Sequence, residues 1–301
     1  MLQVIAEMQT AGIGDVLANE PMAPYTTWKI GGPADALVIP HSKEQLQETI
    51  RLLARYGTPW FVIGRGSNLL VTDKGIRGVV LKLGPALDYI RFEGTGCVAG
   101  GACSFMKLSR RASKEGLTGL EFAGGIPGSV GGAVYMNAGA HGSDVSRVLK
   151  AAEILLPSGE TAMLRNDELH YAYRHSVLHE DKGIVLEATF ELAYGDRGEI
   201  AAAMAAYQDR RQRTQPLQLP CAGSVFRNPE GTFAAKLIEE AGLKGLRVGG
   251  AEVSAQHANF IVNTGAAKAA DVLALIERVQ TTIRERTGIS LVPEVLMAGE
   301  R

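Results

Sequence analysis

The sequence predicts an α+β protein in three regions, two of alternating strands and helices and a third built around one long amphipathic helix. Three observations carry this. The chain has 301 residues, too many for one ordinary core, and 46% hydrophobic against 21% charged residues puts it among folded globular proteins. Apolar strand-like runs alternate along it with segments of helical period. Glycine, 36 residues in all, is clustered, most densely in 64-GRGSNLL-70 and 124-GGIPGSVGG-132. Such clusters mark backbone brought close to something or held at positive φ.

In the first region, residues 1–88, Ser42 and Gln45 form a capping-box pattern before a helix with Leu46, Ile50 and Leu53 on one face. Gly57 is placed to end it, and 59-PWFVIG-64 and 78-GVVLKL-83 read as buried strands around the first glycine loop. The second region, 89–196, holds a strand near Cys97–Gly100, a helix over 104–116, and the second glycine loop. A hairpin follows, 151-AAEILL-156 with 160-ETAML-164, and then a strand over 183–192. The third region, 197–301, opens with a helix over 198–213. A proline-punctuated loop, 214-TQPLQLPCAGSVFRNP-229, leads to a helix near 232–242 and a strand, 259-NFIVN-263. The helix over 266–288 places Val272, Leu275, Ile276, Val279 and Ile283 on one face, and 289-ISLVPEV-295 is expected as the last strand.

Composition narrows the function. Lys and Arg number 31 against 32 Asp and Glu, so net charge does not point to nucleic acid or an acidic membrane, and any anion site must be built locally. Three cysteines without a CxxC pair (Cys97, Cys103, Cys221) argue against a disulfide scaffold or zinc ribbon and fit a reducing cytoplasm. The first residues lack the basic start of a signal peptide, and no apolar run approaches the ~18 residues of a membrane span. His170, His175 and His179 lack an acidic residue at zincin spacing, so no metal site is expected.

The first glycine loop lacks the third glycine of a dinucleotide fingerprint and runs into β-prone 69-LLVTD-73, so a Rossmann reading fails its context. The second has no Walker lysine after it, which argues against a nucleotide-hydrolysing P-loop. Both loops can still turn N–H groups toward one anion, with Ser67, Asn68 and Ser129 as further donors and Pro127 opening a short helix aimed at it. Tight turns between close-packed strands would use glycine in the same way.

The strings 26-TTWKIGGPAD-35, 63-IGRGSNLLVTD-73, 119-GLEFAGGIPGSVGGAVYMNAGAHG-142, 173-YRHS-176, 222-AGSVFRNP-229, 249-GGAEVSAQHANFIVN-263 and 292-VPEV-295 resemble, in order, the UDP-N-acetylenolpyruvoylglucosamine reductase family. The short spacing from Tyr173 to Gly183 resembles its shorter type, without the inserted tyrosine loop. The resemblance implies an FAD-binding fold of the vanillyl-alcohol-oxidase (PCMH) type, two α/β subdomains plus a C-terminal α+β substrate-binding domain. It also implies non-covalent FAD and NADPH as co-substrate. The substrate would be the enolpyruvyl ether of UDP-N-acetylglucosamine, reduced to UDP-N-acetylmuramate for peptidoglycan. Hydride would pass from NADPH to FAD to substrate. A cytoplasmic monomer is expected.

Reducing an enolpyruvyl double bond needs a cation or donors on the neighbouring carboxylate and a proton source at the adjacent carbon. By type alone, Arg174 reads as an ion-paired surface arginine, Ser224 as a turn residue and Glu294 as a paired carboxylate. Carried over from the family, Arg174 is the bidentate carboxylate clamp, Ser224 the proton donor, and Glu294 a carboxyl kept protonated by apolar surroundings. The cofactor-binding set is Gly64, Arg65, Gly66, Ser67, Asn68, Leu69, Gly124, Gly125, Ile126, Pro127, Gly128, Ser129, Gly131, Gly132 and Ile184. Tyr173, Arg227, Asn228, Gln256 and His257 are substrate-binding candidates. An oxidase with covalently tethered flavin is the competing reading, with His141 its one candidate tether.

Overall fold

A computed structural model describes residues 1–300. The chain forms two compact units. Unit 1 comprises Met1–Ala18, Ala36–Arg65 and Gly78–Arg210; unit 2 comprises Asn19–Asp35, Gly66–Arg77 and the chain from Arg211 onward.

Unit 1 contains a five-stranded antiparallel sheet in the order Thr161–Arg165, Leu149–Leu155, Ile184–Glu191, Gly96–Gly100, Ile90–Glu93. The strand Ile184–Glu191 lacks strict alternation in its sequence, and the structure supplies the reason. Glu187 pairs with Glu153 but Val185 with Ile154, a bulge that shifts the side-chain alternation. Val185, Ala188 and Phe190 therefore face one core, with Phe105, Leu108, Val130 and Val134 of the helices Phe105–Lys114 and Val130–Tyr135. Ile184 and Leu186 face a second core with Leu46, Ile50 and Leu53 of the helix Lys43–Arg55. In the first core Phe105 meets Phe122 edge-on, ring centres 5.9 Å apart; truncating such a ring costs about 3–5 kcal/mol.

The capping pattern before Lys43–Arg55 is present in altered form. Ser42 Oγ accepts from Gln45 N, while the Gln45 side-chain Oε1 accepts from His41 N rather than from the N–H of the cap residue. Gly57 (φ +58°) lies just past the helix end, where a left-handed residue is needed. Trp60–Ile63 runs parallel to Ile76–Lys82, with Trp60 opposite Val79 and Ile63 opposite Lys82. The helix Leu2–Thr10 and the strands Asp15–Pro21 and Pro33–Ile39 had no clear sequence signal. The first strand is mostly exposed, and its apolar residues Val16, Leu17 and Ala18 are consecutive and not alternating, which gives no period to read.

In unit 2 a small antiparallel sheet, Arg247–Val248, Ala251–Val253 and Ile261–Asn263, packs on the helix Ala269–Thr287. That helix buries the five predicted residues Val272, Leu275, Ile276, Val279 and Ile283. Its first N–H groups, Ala269 and Ala270, donate to the Asp73 carboxylate at 2.8 and 2.9 Å, negative charge at the positive end of the helix. Trp28 is wholly buried and donates Nε1 to Ile261 O at 2.7 Å. The expected strand over 289–295 is displaced to Leu296–Ala298, parallel to Leu69–Val71. Pro293 has no N–H for a ladder and forms only an isolated bridge with Phe226.

Candidate active site

Within unit 1 the start of the first glycine loop touches the second. A Cβ on Gly64 would lie 2.4 Å from Ser129 Oγ, so a side chain there would displace that hydroxyl. The second loop differs from expectation. The helix starts at Val130 with Ser129 as its cap, accepting from Gly132 N at 3.2 Å, and Pro127 lies in the loop before it. Val130 N donates to Cys103 O and Gly131 N to Gly101 O, so these N–H groups anchor the loop to the chain. The N–H groups of Gly128 and Ser129 donate to no protein acceptor among the described residues. In unit 2, Gly66 (φ +61°) sits against the Tyr25 carbonyl, 2.2 Å from where its Cβ would be, and accepts from Thr27 N.

Arg174, also in unit 1, occupies the corner of a two-residue hairpin. Ala172 and His175 exchange both main-chain hydrogen bonds, at 3.1 and 3.2 Å, and Arg174 takes φ +57°. A left-handed non-glycine residue costs about 1–3 kcal/mol and persists only where its surroundings hold it. Asn137, buried and itself left-handed at φ +43°, donates Nδ2 to Ala172 O and accepts from Ser146 N. The fully buried Ser176 donates to Tyr135 O at 2.6 Å. Held this way, the Arg174 guanidinium stands 4.8 Å over the exposed Tyr173 ring and donates Nη2 to Gly139 O at 3.0 Å.

Ser224 and Glu294 come together within unit 2. Glu294 N donates to Val225 O at 2.7 Å and Arg227 N to Val292 O, so the segment after Ser224 pairs with the segment carrying Glu294. Asn68, from the first loop, donates Nδ2 to Glu294 O and accepts at its carbonyl from Leu296 N. A residue that sequence reasoning missed closes the arrangement. Asn259, 3% exposed, accepts Val225 N at its main-chain carbonyl and Phe226 N at Oδ1, and donates Nδ2 to Phe226 O. Its only signal was an asparagine inside an apolar run, where a buried amide must find partners. Glu294 is half-buried, so its apolar sequence neighbours do not enclose the carboxyl as expected.

A family model for the C-terminal domain of UDP-N-acetylenolpyruvoylglucosamine reductase matches residues 215–298, and an FAD-binding domain model matches residues 34–165. The reductases of Halalkalibacterium halodurans and Bacillus subtilis are 50% and 52% identical to this chain, over 100% and 99% of both lengths. The crystal structure of the Thermus caldophilus reductase superposes with a TM-score of 0.82 at 36% identity, over 94% of this chain and 98% of that one. The chain belongs to the UDP-N-acetylenolpyruvoylglucosamine reductase family.

As a member of that family it is an FAD-containing oxidoreductase, and its loops fit the cofactor. In unit 1 the Gly128 and Ser129 N–H groups have no protein acceptor among the described residues, as donors to an anionic cofactor must; at Gly64 and Gly66 the excluded side chain would meet Ser129 and Tyr25, so those glycines serve close packing. The anion donors are thus fewer than the glycine count suggested. Ile184 is 2% exposed in the second core, which leaves that position a main-chain contact, and Leu69 is buried in its parallel pair with Leu296.

The remaining reductase candidates fall into two groups. Arg227 is half-buried beside the Ser224 segment, and the exposed Asn228 accepts at Oδ1 from Ala234 N, the first N–H of the helix Ala234–Glu240. Gln256 instead donates to Arg213 O. His257 accepts at Nδ1 from Asn259 N, and burial holds it below the ordinary histidine range. His175 and His179 face each other at 4.9 Å, but no group of three His, Cys, Asp or Glu is arranged for a metal among the described residues.

Proposed function

We propose that this chain reduces the enolpyruvyl ether of UDP-N-acetylglucosamine to UDP-N-acetylmuramate at the expense of NADPH, a step of peptidoglycan precursor synthesis. Within its family, the observation that carries the assignment of roles is the pairing of the Ser224 segment with the segment bearing Glu294. Bound FAD supplies the two-electron store between NADPH and the double bond. Arg174 binds the enolpyruvyl carboxylate, where its fork meets both oxygens and lowers the energy of negative charge developing there. Ser224 delivers its hydroxyl proton to the carbon next to that carboxylate. The hydroxyl is a weak acid, so it acts through position against a strongly basic intermediate. Glu294 acts on the charge spread over the carboxylate, a role that requires the bound substrate and flavin to supply the enclosure that its own neighbours do not and so keep a proton on its carboxyl.

On this reading residues 1–88 and 89–196 are the two halves of the flavin-binding part and 197–301 the substrate part. Gly64, Arg65, Gly66, Ser67 and Asn68 from one loop, and Gly124 to Ser129 with Gly131 and Gly132 from the other, line the cofactor. Tyr173, Arg227 and Asn228 serve the nucleotide sugar. On the same reading the enzyme is a cytoplasmic monomer; no helix among the described residues is long and apolar enough to cross a membrane. The test is to purify the protein, release and identify its flavin, and follow NADPH at 340 nm. Oxidation that depends on the enolpyruvyl nucleotide sugar is expected; oxidation supported by oxygen alone would reject the reading.

A further inference from the structure

His141 is not used in that chemistry, yet its setting in unit 1 is specific. Gly139–Ala140 pairs with Ser143–Asp144 in a two-stranded ribbon whose turn is His141–Gly142, at φ +54° and +79°. Positive φ at both central residues belongs to the tight mirror-image turns of hairpins. The ribbon is closely packed at its base, where a Cβ on Gly139 would lie 2.6 Å from both Asp144 Cβ and Ser143 O. The Gly139 carbonyl is the acceptor for Arg174 Nη2 at 3.0 Å. A ribbon of this length is marginal without an anchor. Its anchor is the His141 ring, which lies flat on Tyr207 of the helix Arg197–Thr214, centres 3.9 Å apart and planes at 4°.

We infer that the His141–Tyr207 stack is a positioning device for Arg174: it fixes the ribbon tip, the ribbon fixes the Gly139 carbonyl, and that carbonyl orients the guanidinium toward the substrate carboxylate. The inference rests on the reading of Arg174 given above. Burial and the neighbouring Arg210 hold His141 below the ordinary histidine range, which keeps the ring neutral for stacking. The role is served by the flat ring rather than by imidazole chemistry, so another aromatic side chain fulfils it.

Four variants test this by steady-state kinetics at saturating NADPH. His141→Ala and Tyr207→Ala are each expected to raise KM for the enolpyruvyl substrate about 2- to 12-fold, the range for loss of an aromatic pair. Anaerobic bleaching of the flavin by NADPH should be unchanged. His141→Phe and Tyr207→Phe, which keep the stack, should behave as the unmodified enzyme. The deciding measurement places His141→Ala in an Arg174→Lys background, where its effect on KM should vanish because the guanidinium it orients is gone. Overturning results are an unchanged KM in His141→Ala, the same increase with Arg174→Lys already present, or failure of His141→Phe to restore KM. Absence of substrate-dependent turnover by the unmodified enzyme would overturn the functional reading itself, and this inference with it.

Discussion

Arg174 and the Ser224–Glu294 pair are held by opposite means. In unit 1 the arginine stands on a two-residue corner in a left-handed conformation, kept there by side-chain amides and hydroxyls that grip its neighbours: Asn137 on Ala172, Ser176 on Tyr135. In unit 2 the serine and glutamate ride on extended segments that hydrogen-bond to each other, with Asn259 clamping both faces of Phe226. The first arrangement accepts local strain and leaves a long side chain poised at an exposed corner. The second shares its bonds across a small network with no left-handed non-glycine residue among its members. A flexible cation needs its base fixed; a short hydroxyl needs its whole backbone fixed, because it has no reach of its own.

The comparison is broken most severely at Ser224. Ser224→Ala should slow substrate reduction by roughly 10²–10⁴-fold, as for loss of a positioned acid, while NADPH still bleaches the flavin at the normal rate. Stopped-flow separation of the two half-reactions checks this, and equal loss in both would remove the assignment. Arg174→Lys should be milder, about 10–100-fold in kcat/KM, because lysine keeps the charge but loses the fork. An unaltered kcat/KM would end the clamp argument. If the arginine variant proved the more damaging, the ranking of the two sites would be inverted.

Asn259 probes the network rather than the chemistry. Asn259→Asp keeps an acceptor for Phe226 N but removes the donor to Phe226 O and introduces a carboxylate into a buried setting. It should cost about 1–3 kcal/mol of stability, read from urea unfolding. A stability equal to that of the parent would show the clamp to be dispensable.

Sequence legibility followed the same divide. The long helix over 269–287, the cap at Ser42 and the hairpin at Gly159 were legible because period, capping and turn chemistry are local. Arg174, Ser224 and Glu294 were legible only as parts of family strings, since each residue type has a commoner structural use. What sequence could not supply was long-range. Asn68 bonding Glu294 and Asn259 bonding Phe226 are contacts between distant segments, invisible to any local period. The bulge in Ile184–Glu191 likewise appeared only as imperfect alternation. Nor did glycine density reveal that the Val130, Gly131 and Gly132 N–H groups were already engaged.

A smaller effect comes from His257. Its Nδ1 accepts from Asn259 N, which requires the neutral ring, and burial holds it below the ordinary range. With the folded value under the unfolded one of about 6.5, the unfolded chain takes up a proton first as pH falls. The contribution is therefore complete above about pH 6.5 and is lost as pH drops through the folded value. The urea midpoint should fall between pH 7.5 and pH 5, and less steeply in His257→Gln. His141 shifts in the same direction from unit 1, so the slopes rather than the midpoints are compared. Equal slopes would exclude His257 as a source.

The smallest effect lies three residues before Arg174. The Tyr171 hydroxyl is buried with no hydrogen-bond partner among the described residues, and burial, with Asp144 nearby, pushes its ionisation up. A hydroxyl that has left water without finding a partner costs free energy, whereas a ring that merely packs does not. Tyr171→Phe removes the uncompensated group and leaves the ring in its contact with the first core. The variant should therefore match or exceed the parent in stability, by up to about 1 kcal/mol, and a thermal melt resolves the sign. The substitution also bears on the corner itself. If stability rises while KM for the enolpyruvyl substrate stays constant, Arg174 is positioned by the polar grips on its immediate neighbours. If KM rises as well, the hydroxyl takes part in setting the corner, and unit 1 holds its arginine by a wider network than the grips of Asn137 and Ser176.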